Sequence, residues 1–565
     1  MCGIAGSTED SDGALAARMC ATMGHRGPDD EGLHTDPGAG VSLGIRRLAV
    51  IDVRGGHQPL CNEDRSVWVV CNGEIYNHRR LREELRARGH RFATGSDAEV
   101  LVHLYEEYGE ALVHALEGMF AFALWDAPRR RLLIARDRFG EKPLFWHEQD
   151  GELLFASELS ALLAVRPSLR ELDAGAIDAF FVFAYVPGPG TIVRRVRQLR
   201  PGHLLSWSRE DPRPRELAWW TPPASESPRQ DSPRAAVEEA RELFARSVRT
   251  RLIADVPVGV FLSGGVDSAL VAAVAARESS KRLRTFTVGY DTGSVDETRR
   301  AREVAARLGS EHHEVTLTQA DVAARAPALL AALDQPLADR ALVPLHALCE
   351  FARPRVTVAL GGEGSDELFG GYPRYRWLAR ARALQSRLPG ELARGLALLE
   401  HARGMGSAGQ RLSRLAPGPL AERNLDWTTA RRRHSREELY GPRLRAVSPT
   451  RLLEDLALAA GPLDGTPTAR WLMHLDQVHY LPDDVLVKSD RASMLVSLEL
   501  RTPFLHAGLA DLAGSLESSL HLERGGKTLV HAMLAAEQMA PARSLGGYRK
   551  TAFRVPAAEW LRGPL

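Results

Sequence analysis

The sequence predicts two successive domains of different class. Residues 2–207 read as an α+β unit, an αββα sandwich of sheets packed face to face with helices outside. Residues 236–565 read as an α/β unit, a doubly wound parallel sheet with additional helices. Three observations carry this. A stretch at 208–235 places proline every few residues among polar neighbours; that pattern forbids a long helix or a central strand and reads as an exposed linker. Before it, short apolar runs and turn signals mix with helix patterns. After it, apolar runs, glycine-rich segments and helices alternate in βαβ order, which implies a parallel sheet.

The elements follow in order. Residues 66–71 (Ser-Val-Trp-Val-Val-Cys) form a buried-strand run, and Asn72-Gly73 reads as the turn that ends it. Helix patterns occupy 79–88 and 98–108, and strand runs occupy 120–125 and 132–135. In the second unit an apolar run at 256–262 leads into Ser263-Gly264-Gly265-Val266-Asp267-Ser268 and a small-residue helix at 269–277. A strand at 283–288, a helix at 299–308 and a strand at 356–360 come next, the last running into Gly361-Gly362-Glu363-Gly364-Ser365-Asp366-Glu367. Ligands of doubly wound sheets sit beyond the carboxyl ends of the strands, where both glycine-rich segments fall.

Composition narrows the function. The chain of 565 residues carries 73 Lys+Arg against 72 Asp+Glu, a balance that argues against coating nucleic acid or a membrane surface. Five cysteines without CxxC spacing (Cys2, Cys20, Cys61, Cys71, Cys349) argue against a disulfide scaffold and point to a reducing, cytoplasmic home. The start lacks a basic and an apolar region, so no secretory signal is read, and no run is long enough to cross a membrane. Only five of the 73 basic residues are lysines (142, 281, 488, 527, 550), which marks them as candidates for sites needing a compact ammonium. Adjacent His312-His313 reads as structural, not metal-ligating.

Cys2 becomes the first residue once the initiator methionine is removed. A terminal cysteine carries a nucleophilic thiol and an α-amine able to relay its proton. Asn72 and Gly73 could cradle an oxyanion through a side-chain amide and a backbone N–H. The motifs Cys2-Gly3-Ile4-Ala5-Gly6, His25-Arg26-Gly27-Pro28-Asp29, Arg47-Leu48-Ala49-Val50-Ile51-Asp52, Asn72-Gly73-Glu74-Ile75-Tyr76-Asn77 and Gly95-Ser96-Asp97 together closely resemble the glutaminase domain of class II glutamine amidotransferases, which are N-terminal nucleophile hydrolases. The resemblance implies that Cys2 forms a γ-glutamyl thioester and releases ammonia, with Asn72 and Gly73 as oxyanion donors. It further implies that Arg47 holds the glutamine α-carboxylate, that Glu74 and Asp97 lie near its α-ammonium, and that Leu48, Ala49, Val50 and Ile51 line the same site.

The loop Ser263–Ser268 joins a strand to a helix, so its backbone N–H groups can curl around an anion at the helix start. Asp267 facing that anion calls for a cation between them, and magnesium binds through one or two carboxylates plus phosphate oxygens. The loop resembles the pyrophosphate loop of ATP pyrophosphatases. Joined to a class II glutaminase, and with Gly362–Tyr372, Asp484–Met494 and Ser497–Leu505, it resembles the asparagine synthetase family over nearly the whole chain. By that resemblance Leu262, Ser263, Gly264, Gly265, Asp267, Ser268, Val288, Gly361 and Gly362 bind ATP, and Asp267 and Asp366 hold Mg²⁺. Glu363 positions the acceptor carboxylate or acts on incoming ammonia, and Lys527 stabilises the adenylation transition state. Relatives are often homodimers.

The chain departs from the family pattern at His506 (usually Asp), Gly361 (often Ser), 334–344 and Ala552, positions expected around the acceptor. The expected reaction is glutamine-dependent, ATP-driven amidation, with ammonia channelled from Cys2 to an acyl adenylate, most simply β-aspartyl-AMP. Two other readings stay open at this point: the same chemistry on a sugar acid, natural-product acid or cell-surface polymer, and an inactive paralogue acting as a binding scaffold.

Overall fold

The computed structural model describes residues 1–223, 229, 232–291, 297–385, 420, 424, 440–446 and 467–538. The first unit holds two six-stranded antiparallel sheets. One runs edge to edge through Arg197–Gln198, Phe145–Gln149, Glu152–Ala156, Gly3–Ser7, Val41–Arg47 and Asp30–Asp36. The other runs through Arg215–Ala218, His203–Ser208, Arg131–Arg136, Gly118–Asp126, Val67–Ile75 and Leu60–Cys61.

Strand alternation explains why these sheets face one another. Cys2, Ile4, Leu43, Ile45 and Phe155 turn inward onto Val70, Ala121, Ala123 and Trp125 of the opposite sheet. Their neighbours Ala5, Leu154 and Ala156 turn outward beneath the helices Ala14–Thr22 and Leu159–Val165. On the far side Val69, Cys71, Phe120 and Phe122 pack under Leu81, Leu85, Leu101 and Leu104 of His78–Ala87 and Val100–Tyr108. The result is the expected αββα sandwich, with Cys2 at the start of a central strand.

The second unit is a five-stranded parallel sheet in the order Glu311–Leu317, Arg284–Tyr290, Val258–Phe261, Val358–Leu360, Glu499–Arg501. Small and aliphatic residues of Val266–Glu278 and Thr528–Ala536 cover one face, and those of Leu342–Ala352 and Leu486–Met494 cover the other. From Val258–Phe261 the chain winds outward in one direction, then returns to build the sheet in the other. The switch point therefore lies between Val258–Phe261 and Val358–Leu360, and the two glycine-rich loops leave from those strands.

Two expectations need correction. Asn72-Gly73 is no turn: both residues lie inside Val67–Ile75, paired with Ala121 and Phe120. Gly73 has φ +151°, and a Cβ there would sit 2.0 Å from the Met119 carbonyl, so glycine serves close backbone approach in the sheet. The stretch 208–235 is not linker throughout either. Prolines 212 and 214 precede, and 222 and 223 follow, a proline-free Arg215–Ala218 that pairs with His203–Ser208. The helix Pro233–Arg251 also begins inside it, the Ser232 hydroxyl accepting the Ala235 N–H. Residues 224–228 and 230–231 lie outside the described residues, as do Lys550, Ala552 and Leu565. Among the described residues no helix is long and apolar enough to cross a membrane.

The two units share a seam of buried charge. Arg26 grips Asp490 through two bonds of 2.8 and 2.9 Å and reaches Glu158 at 3.1 Å. Arg491 binds the same Glu158 at 2.5 Å and also pairs with Asp334. Arg501, wholly buried, donates to Glu499 Oε1 at 2.6 Å and to the Arg251 and Ile253 carbonyls at 2.7 Å, with Glu74 at 3.4 Å. Removing one member of a buried pair leaves its partner uncompensated, at about 3–5 kcal/mol. Arg501→Leu is therefore expected to lower unfolding stability by about that amount in denaturant titrations, whereas Arg80→Ala, which breaks the exposed Arg80–Glu84 pair, stays within about 0.5 kcal/mol.

Candidate active site

The inter-sheet position of Cys2 brings its predicted companions around it. Its backbone N–H donates to Asn72 Oδ1 at 2.9 Å, while Asn72 Nδ2 is buried with no hydrogen-bond acceptor. A buried amide left with an open donor beside a thiol is suited to an oxyanion. Burial pushes the Cys2 thiol pKa up; the chain-terminal ammonium, a hydrogen bond from the Leu48 backbone and the Arg47 guanidinium pull it down. Arg47 is held by the Ile51 and Asp52 carbonyls at 3.0 and 2.9 Å. Arg26 Nε donates to the Cys2 carbonyl at 3.0 Å, a support the motif gave no role.

Glu74 and Asp97 lie buried on the same side. Burial, then the neighbouring Glu499 and Asp97 carboxylates, pushes the Glu74 carboxyl well above the usual range, and burial raises Asp97 as well. Asp97 Oδ2 accepts the Ile75 N–H at 2.7 Å. Leu48 and Val50 are shared with the second unit: they pack on Val358, and the Val50 carbonyl accepts the Asp255 N–H at 2.9 Å.

At the switch point of the parallel sheet, Ser263 Oγ meets Ser268 Oγ at 3.0 Å, and Gly264 adopts φ +72°, closing the glycine loop at the start of Val266–Glu278. The Leu262 N–H pairs with the Phe286 carbonyl, which sets Leu262 and Val288 at the carboxyl edges of adjacent strands. Gly362 adjoins the loop, its notional Cβ 3.1 Å from Asp267 Cβ. Lys527 Nζ lies 2.5 Å from Asp267 Oδ2 and 2.8 Å from Asp366 Oδ1. Burial would lower the Lys527 pKa, yet the two carboxylates outweigh it and raise it. Two carboxylates converging on one cationic centre beside an anion-binding loop are a donor set suited to magnesium.

Glu363 is half-buried, its Oε2 shut from solvent without a hydrogen-bond partner, and desolvation raises its pKa. A Cβ at Gly361 would stand 2.0 Å from that oxygen, so the glycine that departs from the family pattern makes room for Glu363 as it lies here. The lysine count had marked Lys488 without assigning it a partner: it binds Asp339 at 2.6 Å and lies close enough to Glu363 to perturb it. The other departures do not share one place. His506 faces Glu117 of the first unit at 3.7 Å, and Asp334 accepts the Leu159 N–H at 2.7 Å in the seam. His312 and His313 sit in a strand, paired with Glu314 at 3.0 Å and Glu311 at 2.9 Å.

A family model for the glutamine amidotransferase domain matches residues 1–220, and one for asparagine synthase matches residues 239–565. The chain belongs to the glutamine-hydrolysing asparagine synthetase family. It is 34% identical to asparagine synthetase [glutamine-hydrolyzing] 1 of Bacillus subtilis (strain 168), covering 100% of this chain and 88% of that one. It is 37% identical, with the same coverage, to a putative asparagine synthetase [glutamine-hydrolyzing] of Mycobacterium tuberculosis (strain ATCC 25618 / H37Rv). An Arabidopsis thaliana asparagine synthetase [glutamine-hydrolyzing] 3 is 37% identical over 66% of this chain and 61% of its own. This family member is thus a glutamine-dependent ligase with an N-terminal nucleophile glutaminase fold and an ATP-utilising synthetase domain; the non-aspartate acceptors are not favoured, and the silent-scaffold reading falls.

The packing at Gly371 supplies a test. A Cβ there would lie 1.7 Å from Asp366 Oδ1 and 2.3 Å from Lys527 Cε. Gly371→Ala is expected to displace both groups and cut ATP-dependent pyrophosphate release at least tenfold, leaving glutamine hydrolysis within twofold; coupled assays of the two products measure this.

Proposed function

We propose that the chain makes asparagine from aspartate, glutamine and ATP by linking two reactions through its interior. The proposed units are the glutaminase from residue 2, carried past 207 by its edge strand Arg215–Ala218, a Pro-rich connection in the rest of 208–235, and the synthetase entered by the helix Pro233–Arg251. The observation that carries the reading is the strand Glu499–Arg501. At one end Glu499 binds the chain-terminal ammonium beside Cys2 at 2.7 Å; at the other the Arg501 carbonyl accepts the Gly361 N–H at 2.8 Å. Three strand residues span about 10 Å, and Leu500 Cδ1 stands 3.3 Å from the notional Cβ of Gly361. Met1, Tyr76, Met119 and Met494 form a buried apolar cluster at the glutaminase end. Once Met1 is removed, Tyr76, Met119 and Met494 remain as an apolar lining, which suits ammonia because it must stay apart from water to remain unprotonated.

In the glutaminase, with Met1 removed, the Cys2 thiol attacks the γ-carbonyl of glutamine while its own amine takes the proton and returns it to the leaving ammonia. Asn72 Nδ2 and the Gly73 N–H hold the oxyanion. Arg47 takes the substrate carboxylate, and Glu74 and Asp97, raised by burial, recover their charge against its ammonium. Water then releases glutamate from the thioester.

In the synthetase the Ser263–Ser268 loop holds the ATP phosphates, and Lys527 follows the charge onto the departing pyrophosphate. Asp267 and Asp366 would hold Mg²⁺, which would neutralise phosphate charge when bound. Glu363 faces the acyl adenylate and takes a proton from the attacking ammonia; Lys488 and Asp339 border it on the acceptor side. A cytoplasmic location is supported by five free cysteines, four of them buried.

Mass spectrometry of the products from ATP, glutamine and aspartate tests the reading; asparagine, AMP, pyrophosphate and glutamate in equal amounts are expected. Cys2→Ala should abolish glutamine-driven synthesis and keep ammonia-driven synthesis within about twofold. Asn72→Ala should lower glutaminase kcat by about 10²–10³. Glu363→Gln should block asparagine formation from either nitrogen source while glutamine hydrolysis persists. Amidation of other carboxylates in preference to aspartate would overturn the acceptor.

A further inference from the structure

Four metal-ligating side chains from three segments of the glutaminase converge apart from the residues assigned above. Glu63 lies between Leu60–Cys61 and Val67–Ile75, His90 just beyond His78–Ala87, and His103 and Glu106 one turn apart on Val100–Tyr108. One donor atom from each lies within 4.8 Å of all the others. His103 Nδ1 is 3.2 Å from Glu106 Oε2 and 3.6 Å from Glu63 Oε2. His90 Nδ1 is 3.6 Å from Glu106 Oε2 and 3.9 Å from Glu63 Oε1.

The surroundings aim these atoms inward. His90 Nε2 meets Glu107 Oε1 at 3.0 Å, and Glu107 is itself bound by Arg88 at 2.7 Å. A carboxylate on the far nitrogen fixes an imidazole with its other nitrogen toward a metal. Glu106 Oε1 is occupied by Asn62 Nδ2 at 2.9 Å and Glu63 Oε1 by the Arg91 N–H at 2.7 Å, so Oε2 of each carboxylate faces the histidines. His103 is fully buried and stacked edge-on against Phe92 at 4.5 Å, whereas the two glutamates reach solvent, which leaves an entry path.

Two imidazole nitrogens and two carboxylate oxygens suit a borderline divalent ion; magnesium and calcium take all-oxygen sets. A tetrahedron with zinc–ligand bonds of about 2.0–2.1 Å spaces its donors about 3.4 Å apart, and three imidazole nitrogen to Oε2 distances here are 3.2–3.6 Å. We propose that Glu63, His90, His103 and Glu106 bind a zinc ion. The ion ties together the two ends of the segment 90–103, which carries Asp97, and so braces that segment against Val67–Ile75.

The test uses untagged, chelator-stripped full chain in millimolar Mg²⁺, titrated with Zn²⁺ against a chromogenic chelator and, separately, with Co²⁺. One Zn²⁺ per chain is expected, with a higher unfolding temperature and an intense visible Co²⁺ band of tetrahedral type. His90→Ala and the near-isosteric Glu106→Gln should each weaken Zn²⁺ at least tenfold and remove the band. Unchanged zinc affinity in a folded Glu106→Gln, or a faint octahedral Co²⁺ spectrum in the parent chain, overturns the site; binding that survives Glu106→Gln belongs to Cys2 or another thiol.

Discussion

Arg501 is the constraint on which the two halves depend. A guanidinium sealed from water must be met on every side, and here it is met by a carboxylate of its own strand, by two carbonyls at the end of the helix Pro233–Arg251 and by Glu74 of the glutaminase. The hydrogen bonds all come from the second domain, and Glu74, 3.4 Å from the remaining guanidinium nitrogen, is the countercharge that docking of the first domain adds. Its strand is also the edge of the parallel sheet, Leu360 paired with Arg501 itself. Glu499 completes the arrangement: burial would raise its carboxyl, but the chain-terminal ammonium and Arg501 bring it down to about 2.

Within each half, glycine does the local positioning where no side chain could. Gly73 lets one antiparallel strand press against the next, which sets Asn72 beside Cys2. Gly361 leaves room for Glu363, and Gly371 leaves room for Asp366 and Lys527 to meet beside the glycine loop. These carboxylates are crowded against glycines, so their placement depends on backbone more than on side-chain packing.

Much of this was legible in the sequence, for reasons that can be named. Helix and strand periods, the glycine loops and the βαβ alternation are local patterns, and they locate Val258–Phe261, Val266–Glu278 and Arg284–Tyr290 to within a few residues. Of the scarce lysines, Lys488 and Lys527 pair with carboxylates and Lys142 is buried, while Lys281 is exposed. Asn72-Gly73 misled because the dipeptide that favours a hairpin turn also suits an open-φ position inside a strand. The seam was invisible for a different reason. Arg26 and Asp490 are 464 residues apart, and nothing in either neighbourhood indicates that the two will share a buried bond.

The buried first residue bears on the order of events in the cell. Met1 is 1% exposed, and its ammonium is locked onto Glu499, nearly five hundred residues downstream. An aminopeptidase needs a free, reachable end of the chain, and the docked protein offers none. If Cys2 is the nucleophile proposed above, its amine is free only in a chain trimmed before the two domains close, because closure seals Met1 against Glu499.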